Sequence, residues 1–570
     1  MNAPLEIIPE HLREYITEQD PSLYTPIDQA VWRYVMRVSK AFFSEYGHPL
    51  YLQGLVSTGI STDRIPLVSE MDHALRKIGW RAVVINGFIP PAIFLEFQAL
   101  RILAIACDIR KLENIGYTPS PDIIHEAAGH VPIVADPDYR SYLEAYGEVA
   151  RNAIITKFDL DLYDAILKLS EIKEDPSSSA EEIAKAQAHF EAIAKLEKLP
   201  SEAALLTRMA WWTTEYGLVE VQGKPLIYGA GLLSSISESY HCLSDEVKKI
   251  PFNLKASIQT SYDITRPQPQ LFVAKNFQEL TLALNEFADS MAFRRGGTYG
   301  LEVAKAAENT VTVVLDHGIQ VTGIIKDFAL DRSGEESAFT VTGTKQFSFH
   351  DQATDEIPNY AIGTEIMIPL FSAGVASADP EDLKRKLHGS GLHTKSGLRI
   401  QGHFKKEVLL GKVGRVWLLE QVKILNESGE VLFQESQKLY PLIFATKVVS
   451  VFGGAADRKN FLLKNRAPVS KVSSHKSNLT PENTTLNFLY RQVREYRDQR
   501  ESNIRFLDTT VTQLNQYFPN DWLLRLELLE IYSAQDSSNI ITAQLRRQLT
   551  ELAEKNPTTK EMIDRGVALL

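Results

Sequence analysis

The stretch HEAAGH at 125–130 sets two histidines and a glutamate within six residues, the side-chain types that bind transition metals. In zinc proteases the paired histidines stand four apart on an α-helix, about 40° from each other, and the intervening glutamate acts as base. His125 and His130 are instead five apart. On an ideal α-helix they diverge by roughly 140°, so joint ligation requires the helix to start, bend or end here. Gly129 and Pro132 suit such an irregularity.

A third ligand is offered by Glu215 in MAWWTTEYGLVE, an acid set among Trp211, Trp212, Tyr216 and Leu218. A carboxylate buried there needs a cation or a hydrogen-bond partner. Two histidines and one carboxylate form a facial triad that leaves adjacent positions open on a six-coordinate metal. That suits iron(II) meeting oxygen and a second reductant, whereas zinc favours four ligands with one open position. An ion pair between Glu215 and Arg208 is the structural alternative, and spacing alone does not choose between them.

These residues lie in a stretch, about 28–300, whose pattern is mainly helical. AVWRYVMRVSKAFFSEYG and PPAIFLEFQALRILAIACDIR repeat apolar residues at the three-to-four spacing of a buried helix face, and Pro90 and Pro91 suit a first helical turn. Residues 158–200 read as an inserted helical hairpin broken at PSSSA. Beyond about 310 the period becomes alternating, as in TVTVVLD, FTVTGTKQFSF and VWLLEQVKILNESGEVLFQE, which predicts a β-rich domain over 310–455 with a turn at Glu427–Glu430. A polar linker, NRAPVSKVSSHKSNLTPEN, then leads to a helical tail over 478–570, with Thr480 and Pro481 as its start signal. In the tail, Leu486, Leu489, Val493, Tyr496, Ile504, Leu507, Val511, Leu514 and Phe518 form an apolar stripe. The stripe is either a coiled-coil seam joining two copies or a face packed on the chain's own β domain, the latter being the simpler expectation.

At 570 residues the chain is long enough for two or three domains. Its formal charge of −11 argues against a nucleic-acid partner, for which clustered Lys and Arg are needed. Cys107 and Cys242 are the only cysteines, so any metal must use histidine and carboxylate, and a reducing compartment is expected. MNAPLEIIPEHLREYI lacks the basic flank and apolar core of a signal peptide, and no apolar run reaches membrane-spanning length, so a cytoplasmic protein without a membrane partner is expected.

Five segments resemble, in order, the tetrahydropterin-dependent aromatic amino acid hydroxylases: GISTDRIPLVSEMDHAL, VINGFIPPAIFLEFQALR, IRKLENIGYTPSPDIIHEAAGHVPIVADPDY, WWTTEYGLVE and YGAGLLSSISESYHCLS. The resemblance covers roughly 50–300. It implies a mainly α catalytic domain over 1–305, interrupted by the hairpin, and assigns no counterpart to the remainder. It implies iron(II) held by His125, His130 and Glu215, with Glu126 beside a tetrahydropterin co-substrate and helping to arrange oxygen activation. Phe94 is placed to stack on the pterin, with Gly87 and Ile89 lining the same wall. Without the resemblance, Phe94 reads as a core aromatic and Arg110 as an ordinary surface salt bridge. With it, Arg110, Thr118 and Ser234 grip the amino acid carboxylate, Asp122 orients the arginine, and Pro119 and Trp211 pack around the substrate ring.

The implied reaction is ring hydroxylation of a free aromatic amino acid by dioxygen and reduced pterin. Trp211 resembles the phenylalanine and tyrosine enzymes, while Ile264 is aliphatic where tyrosine enzymes carry an acid, which leaves phenylalanine to tyrosine as the expectation. Ile264 also resembles tryptophan enzymes, so tryptophan hydroxylation is the alternative; a zinc hydrolase using the same histidines is a more distant one. Ala127, Ala128 and Ala210 replace bulkier family residues, which predicts a roomier pocket.

Overall fold

The structure is a computed structural model. It describes residues 8–570 except 86–88, 117–120, 175–177, 197–198, 264–265, 358–363, 412–413, 465–480, 500–503 and 536–538. Most of the linker expected before the tail, with Thr480, lies outside the described residues.

Helix Pro26–Tyr46 shows how the helical half is specified. Thr25 accepts from the Asp28 amide while the Asp28 carboxylate accepts from the Thr25 amide, and Pro26 occupies the first turn, where its missing N–H costs nothing. Its buried residues include Val31, Trp32, Val35, Met36 and Val38. Residues 90–110, expected as one helix face, divide instead into helix Pro91–Ala99 and strand Ile102–Ala106. Arg101 turns the chain with φ of 59°, and Ile102–Ala106 pairs in parallel with Arg81–Ile85. The strand is buried throughout, and an apolar run that short carries no period to separate strand from helix. The hairpin consists of helices Lys157–Glu174 and Ala180–Ala194, the second capped by Ser179 and Glu182.

The β-rich region has its own core. One sheet runs Gln352–Ala353, Glu336–Phe349, Ile319–Leu330, Thr310–Leu315 and Val448–Gly453, with Ile366–Pro369 also on Glu336–Phe349. The second centres on the long antiparallel pair Arg399–Leu410 and Gly414–Leu425. Leu425 and Val431 flank the expected turn, which Gly429 closes by donating to the Asn426 carbonyl. Val321, Phe339, Trp417 and Phe444 belong to this core, and Ile154 and Ala292 of the helical half join it. Where the chain leaves the sheets, Arg458 bonds Glu96 and the carbonyls of Arg151 and Gly453, tying this exit to helix Pro91–Ala99. His11 bonds the same Glu96 at 2.9 Å.

The tail helices Pro481–Gln499, Phe506–Tyr517, Leu523–Gln535, Ile540–Lys555 and Pro557–Val567 return to the helical half. Leu489, Val493, Leu507, Val511 and Leu514 share one core with Val31, Trp32 and Val35. The stripe is therefore consumed within the chain, on the N-terminal helices and the tail itself rather than on the β region. Tyr34 meets Trp522 edge-on at 5.1 Å. Arg33 and Arg497 pair with the buried Glu527 and the half-buried Glu530, so these charges compensate one another at the interface. No helix among the described residues is long and apolar enough to cross a membrane.

Candidate metal centre

The five-residue histidine spacing is resolved by a widened turn. Residues His125–His130 form a π-turn, in which the Val131 amide donates to Glu126, five residues back. The helix is short, running from residue 123 to 133, and its widened turn brings residues five apart to the same side. His125 Nε2 and His130 Nε2 lie 3.1 Å apart with ring planes at 82°. Tyr51 donates to the Ala128 carbonyl at 2.9 Å, supporting a turn whose own hydrogen bonding is irregular. A second π-turn, Trp211–Glu215, closes with Tyr216 N–H on the Trp211 carbonyl at 2.8 Å and aims Glu215 at the pair. Its oxygens approach His130 Nε2 at 3.2 Å and His125 Nε2 at 3.4 Å. Glycine permits this convergence: a Cβ on Gly129 would meet the Ala230 carbonyl oxygen at 2.6 Å, and one on Gly229 the Glu215 carbonyl oxygen at 2.4 Å.

The two imidazole nitrogens lie 3.1 Å apart and each has a different Glu215 oxygen at 3.2–3.4 Å, separations that match neighbouring ligands around one ion at bonds of about 2.0–2.2 Å. Among the described residues this is the one cluster of three metal-ligating groups. Arg208, the alternative partner for Glu215, donates instead to the Ile258 carbonyl.

The electrostatics of the three side chains favour a positive charge among them. Burial lowers the His130 pKa, but the Glu215 carboxylate and its hydrogen bond outweigh burial and raise it to about 9. Burial would raise Glu215, yet the two histidines hold it down at about 2. His125 is pushed by burial down to about 4. Its Nδ1 faces Ser234 Oγ at 3.0 Å, and that hydroxyl donates to the Ala230 carbonyl at 2.7 Å. With its proton committed, Ser234 accepts from Nδ1–H, which leaves the His125 Nε2 lone pair toward His130 and Glu215. Burial pushes the Glu126 carboxyl up to about 7.

Beside the cluster, Asp122 takes Arg110 in a bidentate grip, Nε and Nη2 each at 2.8 Å, and also accepts the Arg110 and His125 amides. Arg110 Nη1 donates to the Ser234 carbonyl at 2.9 Å. Both ion-pair members are buried, which excludes the surface salt bridge reading of Arg110. Among the described residues, one hydrogen on each Nη remains for an external acceptor, and a carboxylate matches that geometry.

Phe94 is 37% exposed, so it is not the core aromatic its apolar surroundings suggested; Ile89 is half-buried nearby in sequence, and Glu126 is buried. Trp211 stacks between Tyr216 and Tyr262 at centroid distances of 4.6 and 4.2 Å, a sandwich that its spacing did not disclose. Ala127 and Ala128 are buried in the main core, so their small size is absorbed there; Ala210 packs against the same core partly buried. Gly87, Thr118, Pro119 and Ile264 lie outside the described residues. Sequence reasoning missed Tyr51, Tyr262 and the Ser234 carbonyl, whose contributions depend on long-range contacts.

Residues 15–152 and 188–325 match the pattern of the family described as biopterin-dependent aromatic amino acid hydroxylase. These two stretches, just under half of the chain, are similar to that family. The stretch between the matches holds helix Lys157–Glu174 and the first half of Ala180–Ala194, so the hairpin interrupts the family pattern. Phenylalanine-4-hydroxylase of Mesorhizobium japonicum is 28% identical over 260 residues, 45% of this chain and 78% of the relative. The Dictyostelium discoideum phenylalanine-4-hydroxylase is 29% identical over 275 residues, 47% of this chain and 52% of its own. A crystal structure of Chromobacterium violaceum phenylalanine hydroxylase with bound Fe(III) aligns at 25% identity and a TM-score of 0.38, covering 49% of this chain and 87% of the other.

Proposed function

We propose that the protein is an iron(II)- and tetrahydropterin-dependent monooxygenase that hydroxylates the ring of a free aromatic amino acid, converting phenylalanine to tyrosine. The observation that carries this is the convergence of two imidazoles and one carboxylate beside a buried guanidinium, all within the family's stretch of chain. Iron(II) fits two nitrogen ligands and one oxygen ligand, and with reduced pterin it supplies the activation of dioxygen.

The chain's own groups do the rest. His125, fixed by Ser234, would offer Nε2 to the metal, His130 would hold it in place of its proton, and Glu215 would balance the charge. Arg110, its fork locked by Asp122, receives the substrate carboxylate, and Trp211 and Pro119 are assigned to pack around the substrate ring. Thr118 completes the carboxylate receptor, and Ser234, whose hydroxyl proton is committed to Ala230, serves it by holding Arg110 through its carbonyl. Phe94, an exposed aromatic, is assigned to stack on the pterin, with Gly87, Ile89 and Glu126 assigned to the same cofactor. Glu126 is the group that arranges oxygen activation, and an apolar enclosure keeps water from the oxidant.

In this reading residues 1–305 are the catalytic domain, 310–455 a β domain and 478–570 a helical tail, in a cytoplasmic enzyme whose cysteines stay free. The test is separate incubation with phenylalanine, tryptophan and tyrosine in the presence of iron(II), oxygen and a tetrahydropterin. Tyrosine from phenylalanine, absent in Glu215→Ala, supports the proposal; turnover of tryptophan alone reassigns the substrate, and turnover of none rejects the activity.

A further inference from the structure

Helix Pro557–Val567, far outside the matched stretch of sequence, reaches Gly116 and Ile236, which lie close in the chain to residues assigned above to the amino acid site. Gly116 is the final described residue before the segment carrying Thr118 and Pro119. A Cβ on Gly116 would lie 3.5 Å from Met562 Cε, 3.9 Å from its sulfur and 2.7 Å from Ser237 Oγ. Met562 is buried, and its carbonyl accepts from the Tyr34 hydroxyl at 2.7 Å. One turn on, Arg565 Nη1 donates to the Ile236 carbonyl at 3.0 Å, and its guanidinium sits 3.8 Å above the Tyr240 ring. Gly566 lets this helix approach closely, since a Cβ there would meet Leu526 Cδ2 at 2.3 Å and Tyr34 Cε2 at 3.2 Å.

The two gripped segments are joined to each other and to the site. Ser235 Oγ and the Ser237 amide donate to the Gly116 carbonyl at 3.1 and 3.3 Å. Ser234, immediately before them, orients Arg110 through its carbonyl and His125 through its hydroxyl. The segment 234–237 is therefore held from two sides, by Arg110 and His125 at one end and by Arg565 at the other. We propose that helix Pro557–Val567 is a positioning element for the amino acid pocket, with Met562 and Arg565 as positioning residues that hold Gly116 and Ile236, and through them Ser234 and Arg110. The function rests on the hydroxylase reading above; the grip itself does not.

The mechanism is orientation. A carboxylate receptor set loose by a fraction of an ångström loses binding geometry without losing its charge. Met562→Ala removes the thioether packed on Gly116, and Arg565→Gln removes the charge over Tyr240 and weakens the bond to Ile236. In the iron-loaded full-length protein, each is expected to raise KM for phenylalanine about five- to ten-fold, the scale of one lost hydrogen bond or a small misplacement. KM for the tetrahydropterin, iron content and kcat stay within about two-fold in this account. Met562→Leu and Arg565→Lys, which keep volume and charge, return the amino acid KM toward the parent value.

Hydrogen exchange without substrates supplies a readout independent of activity: amides in 109–116 and 234–241 exchange faster in Met562→Ala and Arg565→Gln, while those in Pro26–Tyr46 do not. If the parent protein hydroxylates no aromatic amino acid, the function falls and the exchange pattern still decides the grip. If Met562→Ala fails to fold, the Arg565→Gln and Arg565→Lys pair decides it. Unchanged exchange in both peptides, or equal rises in the two KM values that the conservative variants do not reverse, overturns the proposal.

Discussion

The Arg110–Asp122 pair yields a prediction with a distinctive sign. Asp122 accepts from Arg110 N, Nε and Nη2 and from the His125 amide, and both side chains are nearly inaccessible. Asp122→Asn leaves a buried guanidinium without its counter-charge, and Arg110→Gln leaves a buried carboxylate without its own. Each is expected to cost about 3–5 kcal/mol, the penalty of an uncompensated buried charge. The double variant buries no charge at either position, so its cost should not exceed that of either single change. The cycle therefore gives a coupling of roughly 3 kcal/mol or more. Native-state hydrogen exchange on peptides covering 121–133 reads the local opening free energy without requiring the β region to unfold. Arg110 holds the Asp122 pKa below the usual carboxylate range against the effect of burial, so its contribution is present above that range and is lost as pH falls through the depressed value. Losses that simply add in the double variant refute the account of the pair as a mutually compensated unit.

Metal binding must displace the proton that His130 holds up to about pH 9, so apparent iron(II) affinity should rise about ten-fold per pH unit between 6 and 8, measured anaerobically by competition with a chelator. Burial raises the Glu238 pKa to about 7, partly offset by a backbone hydrogen bond from Gln268, so that side chain favours the folded state below its unfolded value near 4.5 and ceases to as pH rises through 7. Glu238→Gln should accordingly gain up to roughly 3 kcal/mol over the parent at pH 8 and little at pH 4.5, as local exchange near 235–242 would report; equal effects at both pH values contradict this. A chain ending at residue 305 loses the tail that shares a core with Val31, Trp32 and Tyr34, and should be recovered largely as aggregate; a soluble, fully active fragment would show that the tail is dispensable.

Chemistry was more legible in the sequence than geometry. Residue types make His125, His130 and Glu215 candidates, while spacing alone leaves an ion pair of Glu215 with Arg208 equally open; the resemblance singles out the three as ligands. The five-residue spacing marked an irregular helix, because a regular α-helical period sets the histidines at a wrong angle, but it did not say that the irregularity is a widened turn. The same ambiguity hid strand Ile102–Ala106, whose apolar run is as consistent with a buried helix as with a central strand. The change from helical to alternating period near 310 was readable because the long strands keep inward and outward positions distinct, as Arg399–Leu410 does. What covers the tail's stripe was not readable: an apolar face states that it is buried and not by what. The answer here is the first long helix, more than 450 residues earlier in the chain. Phe94, by contrast, is exposed among apolar neighbours, a departure that only the resemblance anticipated.

The most direct test of the central claim is the fate of the oxygen atoms. The iron-loaded full-length protein, supplied with a reduced tetrahydropterin and phenylalanine under ¹⁸O₂, should yield tyrosine carrying a single ¹⁸O, with none formed when pterin or iron is omitted or when Glu215 is replaced by alanine. Unlabelled tyrosine, or labelled product formed without pterin, would contradict the assignment of His125, His130 and Glu215 to a pterin-dependent monooxygenase.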